Sequence, residues 1–135
     1  RVLFRSLKGG EIIELISDLG GGKTTLVRGI ARGAGSADKV SSPTFTVSKE
    51  YQAGKLRIAH YDFYRLNDPG ILAHELAETL EDKTTVVIIE WADIVADILP
   101  TDRLTIHIQT KGESDRLLEI TTTQVTKYMT AGLTI

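Results

Sequence analysis

Apolar positions along this chain switch repeatedly between a strand-like and a helix-like period. The run "EIIELIS" at 11–17 is rich in Ile and closed by Gly9-Gly10 on one side and Gly20-Gly21-Gly22 on the other, which predicts a short buried strand. From Lys23 to Gly35, "KTTLVRGIARGAG" sets Leu26, Ile30 and Ala34 on one helical face and Arg28 and Arg32 on another, with Gly33 and Gly35 as stop signals. A period of two returns with Phe45, Val47 and Lys49, breaks at Gln52 to Lys55, and resumes from Leu56, predicting a β-hairpin. Over 67–82 the spacing of Leu72, Leu76 and Leu80 predicts a second helix, with Asp68 as N-cap and Pro69 as its first residue. "TTVVIIEW" at 84–91 is continuously apolar and predicts a strand buried on both faces. A short helix in "ADIVADIL" stops at Pro100, and "RLTIHIQ" and "RLLEITT" around "TKGESD" predict a second hairpin. The pattern assigns nothing to residues 124–135, and there is no internal repeat.

These alternations fit within 135 residues, of which 41% are hydrophobic and 25% charged, enough for one core and a single domain over 1–135. The net charge of -2 provides no global attraction for nucleic acid. The absence of Cys removes disulfides, thiolate zinc sites and cysteine nucleophiles and is compatible with a reducing cytoplasm. The longest purely apolar run, "VVII", is far too short for a membrane span or signal segment, so the chain reads as soluble and cytoplasmic. It opens on Arg1 rather than Met, which reads as a truncated N-terminus.

The chemistry concentrates where the first strand meets the first helix. A strand, a glycine-rich loop, Lys-Thr and then a helix is the arrangement of a phosphate-binding loop, in which backbone N–H groups and the helix dipole converge on the anion. Lys23 would supply a point charge to the outer phosphates and the Thr24 hydroxyl would bind Mg²⁺. A lysine at a helix N-terminus opposes the dipole by roughly 0.3 to 1 kcal/mol unless an anion is present, which a plain glycine turn does not explain. The pattern G-x-x-x-x-G-K-[ST] is broken at one point, where Ser17 takes the first glycine's place. If the backbone there has positive φ, the Cβ of Ser17 costs about 1 to 2 kcal/mol and weakens binding.

Such a loop needs acidic partners. Glu90 ends the apolar strand as a Walker B acid does, and the alternative is an N-cap for the helix that follows. In "HYDFYR", His60, Asp62 and Tyr64 share one strand face while Tyr61 and Phe63 take the other. Two carboxylates on one phosphate site repel unless a cation sits between them, a role Mg²⁺ fills. "SSPTF" at 41–45 offers Ser41, Ser42 and Thr44 as phosphate sensors or as an ordinary loop, and Trp91 is a candidate for base stacking or for core filling. His74 and His107 read as ordinary helix and strand residues.

"SDLGGGKTTLVRGIARG", "SSPTFTVSKEY", "HYDFYRL" and "VVIIEWAD", in this order and at this spacing, resemble the bacterial tRNA threonylcarbamoyladenosine biosynthesis ATPases, the TsaE or YjeE family. The resemblance spans residues 10 to about 122 and departs from the family pattern at Ser17 and in the segment before Gly10, which is longer in the family. It implies an α/β, P-loop NTPase-like three-layer fold with a central mixed sheet, binding ATP or ADP with Mg²⁺. By motif match, Gly20, Gly21, Gly22, Lys23, Thr24 and Thr25 form the nucleotide loop. Thr24 and Glu90 form the Mg²⁺ site, and Asp62 and Glu90 are the catalytic acids. The resemblance further implies a partner complex, the threonylcarbamoyl transferase with its inactive paralogue, which modifies adenosine 37 of tRNA, with tRNA contact indirect for this chain. Two rival enzymes and a binding module compete with this reading. A GTPase lacks support because no N-K-x-D motif occurs, and a small-molecule kinase lacks an arginine-bearing lid. A module that holds nucleotide without turnover remains the alternative.

Overall fold

In a computed structural model of the protein, the residues described are 7–17, 22–43, 47–64, 66–113, 115–123 and 126–130. Six strands, β1 (Ile12–Ile16), β2 (Ser48–Ala53), β3 (Leu56–Asp62), β4 (Thr85–Glu90), β5 (Leu104–Lys111) and β6 (Asp115–Thr121), form one sheet of order β2-β3-β4-β1-β5-β6. β3, β4, β1 and β5 run parallel, and the hairpin partners β2 and β6 close the two edges antiparallel.

Alternation divides the core into two layers. Ile13, Leu15, Ile58, Val86, Ile88, Leu104 and Ile106 face helix α1 (Lys23–Gly33), which contributes Val27, Ile30 and Ala31. Ile12, Ala59, Tyr61, Val87 and Ile89 face the opposite way, toward Leu76 of helix α2 (Ile71–Glu81) and Val95 of the 3₁₀ helix Ala92–Ile98. Fully burying each such aliphatic side chain contributes about 1.5 to 3 kcal/mol. The result is the three-layer α/β arrangement with a mixed sheet that the sequence predicts.

All three predicted helices form, the short one as the 3₁₀ helix Ala92–Ile98 and the two longer ones with adjustments. The buried stripe of α1 centres on Val27, Ile30 and Ala31, and Leu26 and Ala34 pack at its margin. Gly22 caps α1 at φ 95°, a left-handed conformation that a side chain would strain. At the other end the Ser36 N–H returns to the Ala31 carbonyl at 2.8 Å, closing the helix as a Schellman turn does. α2 starts later than its sequence signals imply. Asp68 Oδ1 accepts the Gly70 N–H at 2.9 Å, so Asp68 and Pro69 form a turn ahead of a helix capped by Gly70.

The tail packs where the sequence pattern was silent. A 3₁₀ turn, Lys127–Thr130, inserts Met129 into the α1 layer, and the Tyr128 hydroxyl donates to the Glu11 carboxylate. Glu11 also accepts the Lys8 and Gly9 N–H groups, each at 2.7 Å. No helix among the described residues is long and apolar enough to cross a membrane.

Candidate functional site

The carboxyl ends of β1, β3 and β4 lie side by side, the edge of a parallel sheet where α/β proteins place their ligands. From β1 the chain passes Ser17 and enters residues 18–21. Gly20 and Gly21 of the predicted loop therefore lie outside the described residues. Gly22, Lys23, Thr24 and Thr25 are described as the N-cap and first turn of α1.

Lys23 is 8% exposed, an unusual state for an ammonium at a helix N-terminus. Several groups hold it. Its Nζ donates to the Ser17 carbonyl at 3.4 Å, lies 3.9 Å from Glu90 Oε1, and sits 5.3 Å from the centre of the Trp91 ring. Thr24 is half-buried beside it and Thr25 is exposed.

Glu90 ends β4, and its other oxygen, Oε2, meets His60 Nε2 at 2.5 Å in a fully buried pair. The β3–β4 register sets Asp62 opposite Glu90, and His60, Asp62 and Glu90 all have the strand parity that faces α1. Asp62 is 6% exposed, its N–H donates to the Val47 carbonyl at 2.8 Å, and its Oδ1 accepts the Tyr64 N–H at 3.0 Å. Burial pushes the Asp62 carboxyl above its usual range and the Glu90 carboxylate adds to this. The Tyr64 N–H, His60 and Lys23 oppose it. The two predicted acids are thus brought together with Lys23, and the Glu90 carboxylate disfavours charge on Asp62.

That repulsion, with a hydroxyl at Thr24, matches what a hard divalent cation relieves. Mg²⁺ takes one or two carboxylate or hydroxyl oxygens from a protein and fills the rest of its shell with water and phosphate. Among the described residues no group of three or more His, Asp or Glu side chains could hold a metal by itself. Glu90, Asp62 and the Thr24 hydroxyl are the oxygen donors that this edge could offer a cation.

Backbone strain clusters on the same edge. Among the described residues the side-chain-bearing positions of positive φ are Val47 at 67° and Trp91 at 56°. One binds the Asp62 N–H and the other follows Glu90, and such conformations cost about 1 to 3 kcal/mol each. Ser17 is not among them, so the strain expected of a Cβ in the first glycine's place is absent. Trp91 makes no side-chain cap hydrogen bond, and it is half-buried against the core layer on the α2 side. Its ring covers Lys23 and packs on Tyr64 with centroids 5.0 Å apart and a 40° tilt.

Other candidates fall away from these contacts or outside the description. Ser41 is tied through its backbone to the Tyr51 hydroxyl, while Thr44 lies outside the described residues. His74 is exposed on α2, and His107 lies 4.0 Å from Glu119 on the second hairpin. The residue the sequence undervalued is His60. Its strand face was legible, but its bond to Glu90 was not, because that pairing depends on β3 and β4 being neighbours.

A buried parallel strand, a glycine-capped helix that begins with a buried lysine, and two acids at neighbouring strand ends define the P-loop class of α/β proteins. Comparison with known proteins narrows the class. The family model described as "Threonylcarbamoyl adenosine biosynthesis protein TsaE" matches residues 1–118. The tRNA threonylcarbamoyladenosine biosynthesis protein TsaE of Bacillus subtilis is 40% identical over 119 residues, 87% of this chain and 72% of that protein. The protein of the same name from Treponema pallidum is 36% identical over 119 residues, 88% of this chain and 87% of that protein. The crystal structure of YdiB from Bacillus subtilis superposes with a TM-score of 0.70 at 29% identity, covering 95% of this chain and 79% of that one. This chain belongs to the TsaE family.

Proposed function

We propose that the protein binds ATP and ADP with Mg²⁺ and hydrolyses ATP, slowly alone, in the threonylcarbamoyladenosine modification of tRNA. It acts there with the threonylcarbamoyl transferase and its inactive paralogue, and touches tRNA only indirectly. The observation that carries this reading is Lys23, a buried ammonium at the first position of α1 that shares Glu90 with His60. An ammonium at a helix N-terminus opposes the dipole, whereas a phosphate there would be met favourably by both Lys23 and the dipole. Mg²⁺, when bound, would neutralise charge developing on the outer phosphates. Thr24 and Glu90 would hold it, Lys23 would orient the phosphates, and Asp62 would position the attacking water. The shared pathway name of the TsaE relatives supports the tRNA-modification part of this reading.

Calorimetric titration of ATP with and without Mg²⁺ tests the binding step. Lys23→Ala should weaken it by about 1.5 to 3 kcal/mol, the worth of a charge-assisted contact. Hydrolysis that stays absent even with the partner complex added, while ATP still binds, would favour a non-catalytic nucleotide-dependent module instead.

A further inference from the structure

The antiparallel pairing of β2 with β3 reaches Ser48 opposite Tyr61, and the next position along this register sets Val47 opposite Asp62. There the ladder is half made. A hydrogen-bonded antiparallel pair exchanges two bonds, each residue donating its N–H to the other's carbonyl. Val47 accepts the Asp62 N–H at 2.8 Å, but its own N–H goes to the Pro43 carbonyl at 2.6 Å. The backbone diverts it, since Val47 has φ 67° where a strand residue has a negative value.

Valine is a costly choice for that conformation, because its branched Cβ crowds a backbone that glycine or asparagine would accept. Its side chain supplies the reason. Val47 is half-buried and packs against the core layer on the α2 side, and Pro43, which receives its N–H, is buried. The carbonyl that receives Asp62 therefore cannot turn away unless Val47 withdraws from that layer. On its other side Asp62 lies opposite Glu90, whose carbonyl accepts the Phe63 N–H at 3.1 Å. Asp62 is thus held between a regular parallel ladder and one bond to a strained residue. Strain of this kind persists where the surroundings over-determine it, and it gathers at functional sites.

Resting on the reading of Asp62 as the acid that orients the attacking water, we propose that Val47 is a positioning residue for hydrolysis. It fixes the Asp62 backbone against the core, so that the carboxyl meets its water at one place. In this role Val47 touches neither nucleotide nor metal and acts only through Asp62. A glycine at 47 would adopt the same φ without strain, yet it would leave the carbonyl free to rotate and Asp62 free to shift with it. Misplacing a reacting group by about 1 Å costs on the order of a hundredfold in rate.

The test uses the full chain and three measurements: hydrogen exchange at the Asp62 amide without nucleotide, ATP affinity by calorimetry, and hydrolysis with the partner complex. Val47→Gly should speed exchange at the Asp62 amide by about tenfold or more, since local opening sets that rate. It should leave ATP affinity and KM at the parent's values and lower kcat by about ten- to a hundredfold. Val47→Ile, which keeps the branched anchor, should match the parent in all three. Val47→Ala trims the anchor and keeps the Cβ; it should give the glycine pattern at smaller size and serves if Val47→Gly does not fold. In an Asp62→Asn background, Val47→Gly should cause no further loss of kcat, because its effect passes through that carboxyl. Unchanged exchange in Val47→Gly overturns the proposal, as does faster exchange with parental kcat. A further loss in the Asp62→Asn background overturns it too, by showing that Val47 acts elsewhere. A parent that binds ATP but does not hydrolyse it with the partner complex overturns the hydrolytic reading of the site and this role with it.

Discussion

His60 Nε2 lies 2.5 Å from Glu90 Oε2 inside the sheet's carboxyl edge, and neither side chain has more than 4% of its surface exposed. Glu90 therefore owes its position to a neighbouring strand as well as to the loop lysine. Among the described residues, His60 Nδ1 is the buried side-chain nitrogen or oxygen left without a hydrogen-bond partner. A buried polar pair of this kind is costly to break, because the remaining member keeps its desolvation penalty. His60→Ala is expected to lose about 3 to 5 kcal/mol in urea denaturation. Adding Glu90→Gln in that background should recover part of the loss, since the buried carboxylate then no longer needs the lost His60 bond. Strictly additive losses in this double-mutant cycle would mean that the two side chains are not energetically coupled.

Ser17 separates backbone geometry from motif matching. Its backbone is outside the left-handed region, so the Cβ costs nothing there. Ser17→Gly is expected to leave nucleotide affinity unchanged and to reduce stability by about 0.4 to 1 kcal/mol, through the added freedom of the unfolded chain. Tighter ATP binding in this variant would show that the loop reaches a strained geometry at Ser17 when it closes on phosphate.

Tyr128 gives an alkaline test of how the tail is held. Burial first, and then its bond to the Glu11 carboxylate, push its hydroxyl well above the usual value of 10.0. The folded protein thus keeps the proton where the unfolded chain has lost it. The stability Tyr128 supplies is complete below pH 10 and is lost as pH rises through the raised folded value. Tyr128→Phe leaves Glu11 its Lys8 and Gly9 donors and should cost about 1.5 kcal/mol at neutral pH. The gap between parent and variant should narrow above pH 10 in denaturation curves. A gap of constant width would mean that the hydroxyl contributes no proton linkage.

Local pattern carried most of the architecture. The period-two face of "HYDFYR" put His60 and Asp62 on one side of β3, and the apolar run before Glu90 marked β4 as central, because each signal depends only on neighbours in sequence. What needed the fold were contacts across elements. The His60–Glu90 pair, the Trp91 ring over Lys23, and Arg116 near Gly22 join residues far apart in sequence, and no periodicity encodes strand order. The start of α2 was misplaced because Asp68 can bond a nearby N–H as a turn residue as well as a cap, a competition that local chemistry leaves open. The tail was illegible since a single Met129 in the core has no pattern to announce it.

The two carboxylates should separate by role. Glu90 ends the strand next to β1, faces Lys23 at 3.9 Å, and is oriented by His60, so it is placed to serve the loop and the cation held there. Asp62 sits one strand further out, with its Oδ1 fixed by the Tyr64 N–H, which suits it to orient a water rather than a metal. Burial and the Glu90 carboxylate raise its pKa, and a cation beside Glu90 would oppose that shift and favour the charged form that accepts a proton. Glu90→Gln is therefore expected to weaken Mg²⁺-dependent nucleotide binding. Asp62→Asn should leave that binding near the parent's and lower partner-stimulated hydrolysis by a factor of several hundred, about 3 to 4 kcal/mol of transition-state stabilisation. Measured side by side, loss of Mg-nucleotide binding in Asp62→Asn with normal binding in Glu90→Gln would reverse the two assignments and place the metal on β3.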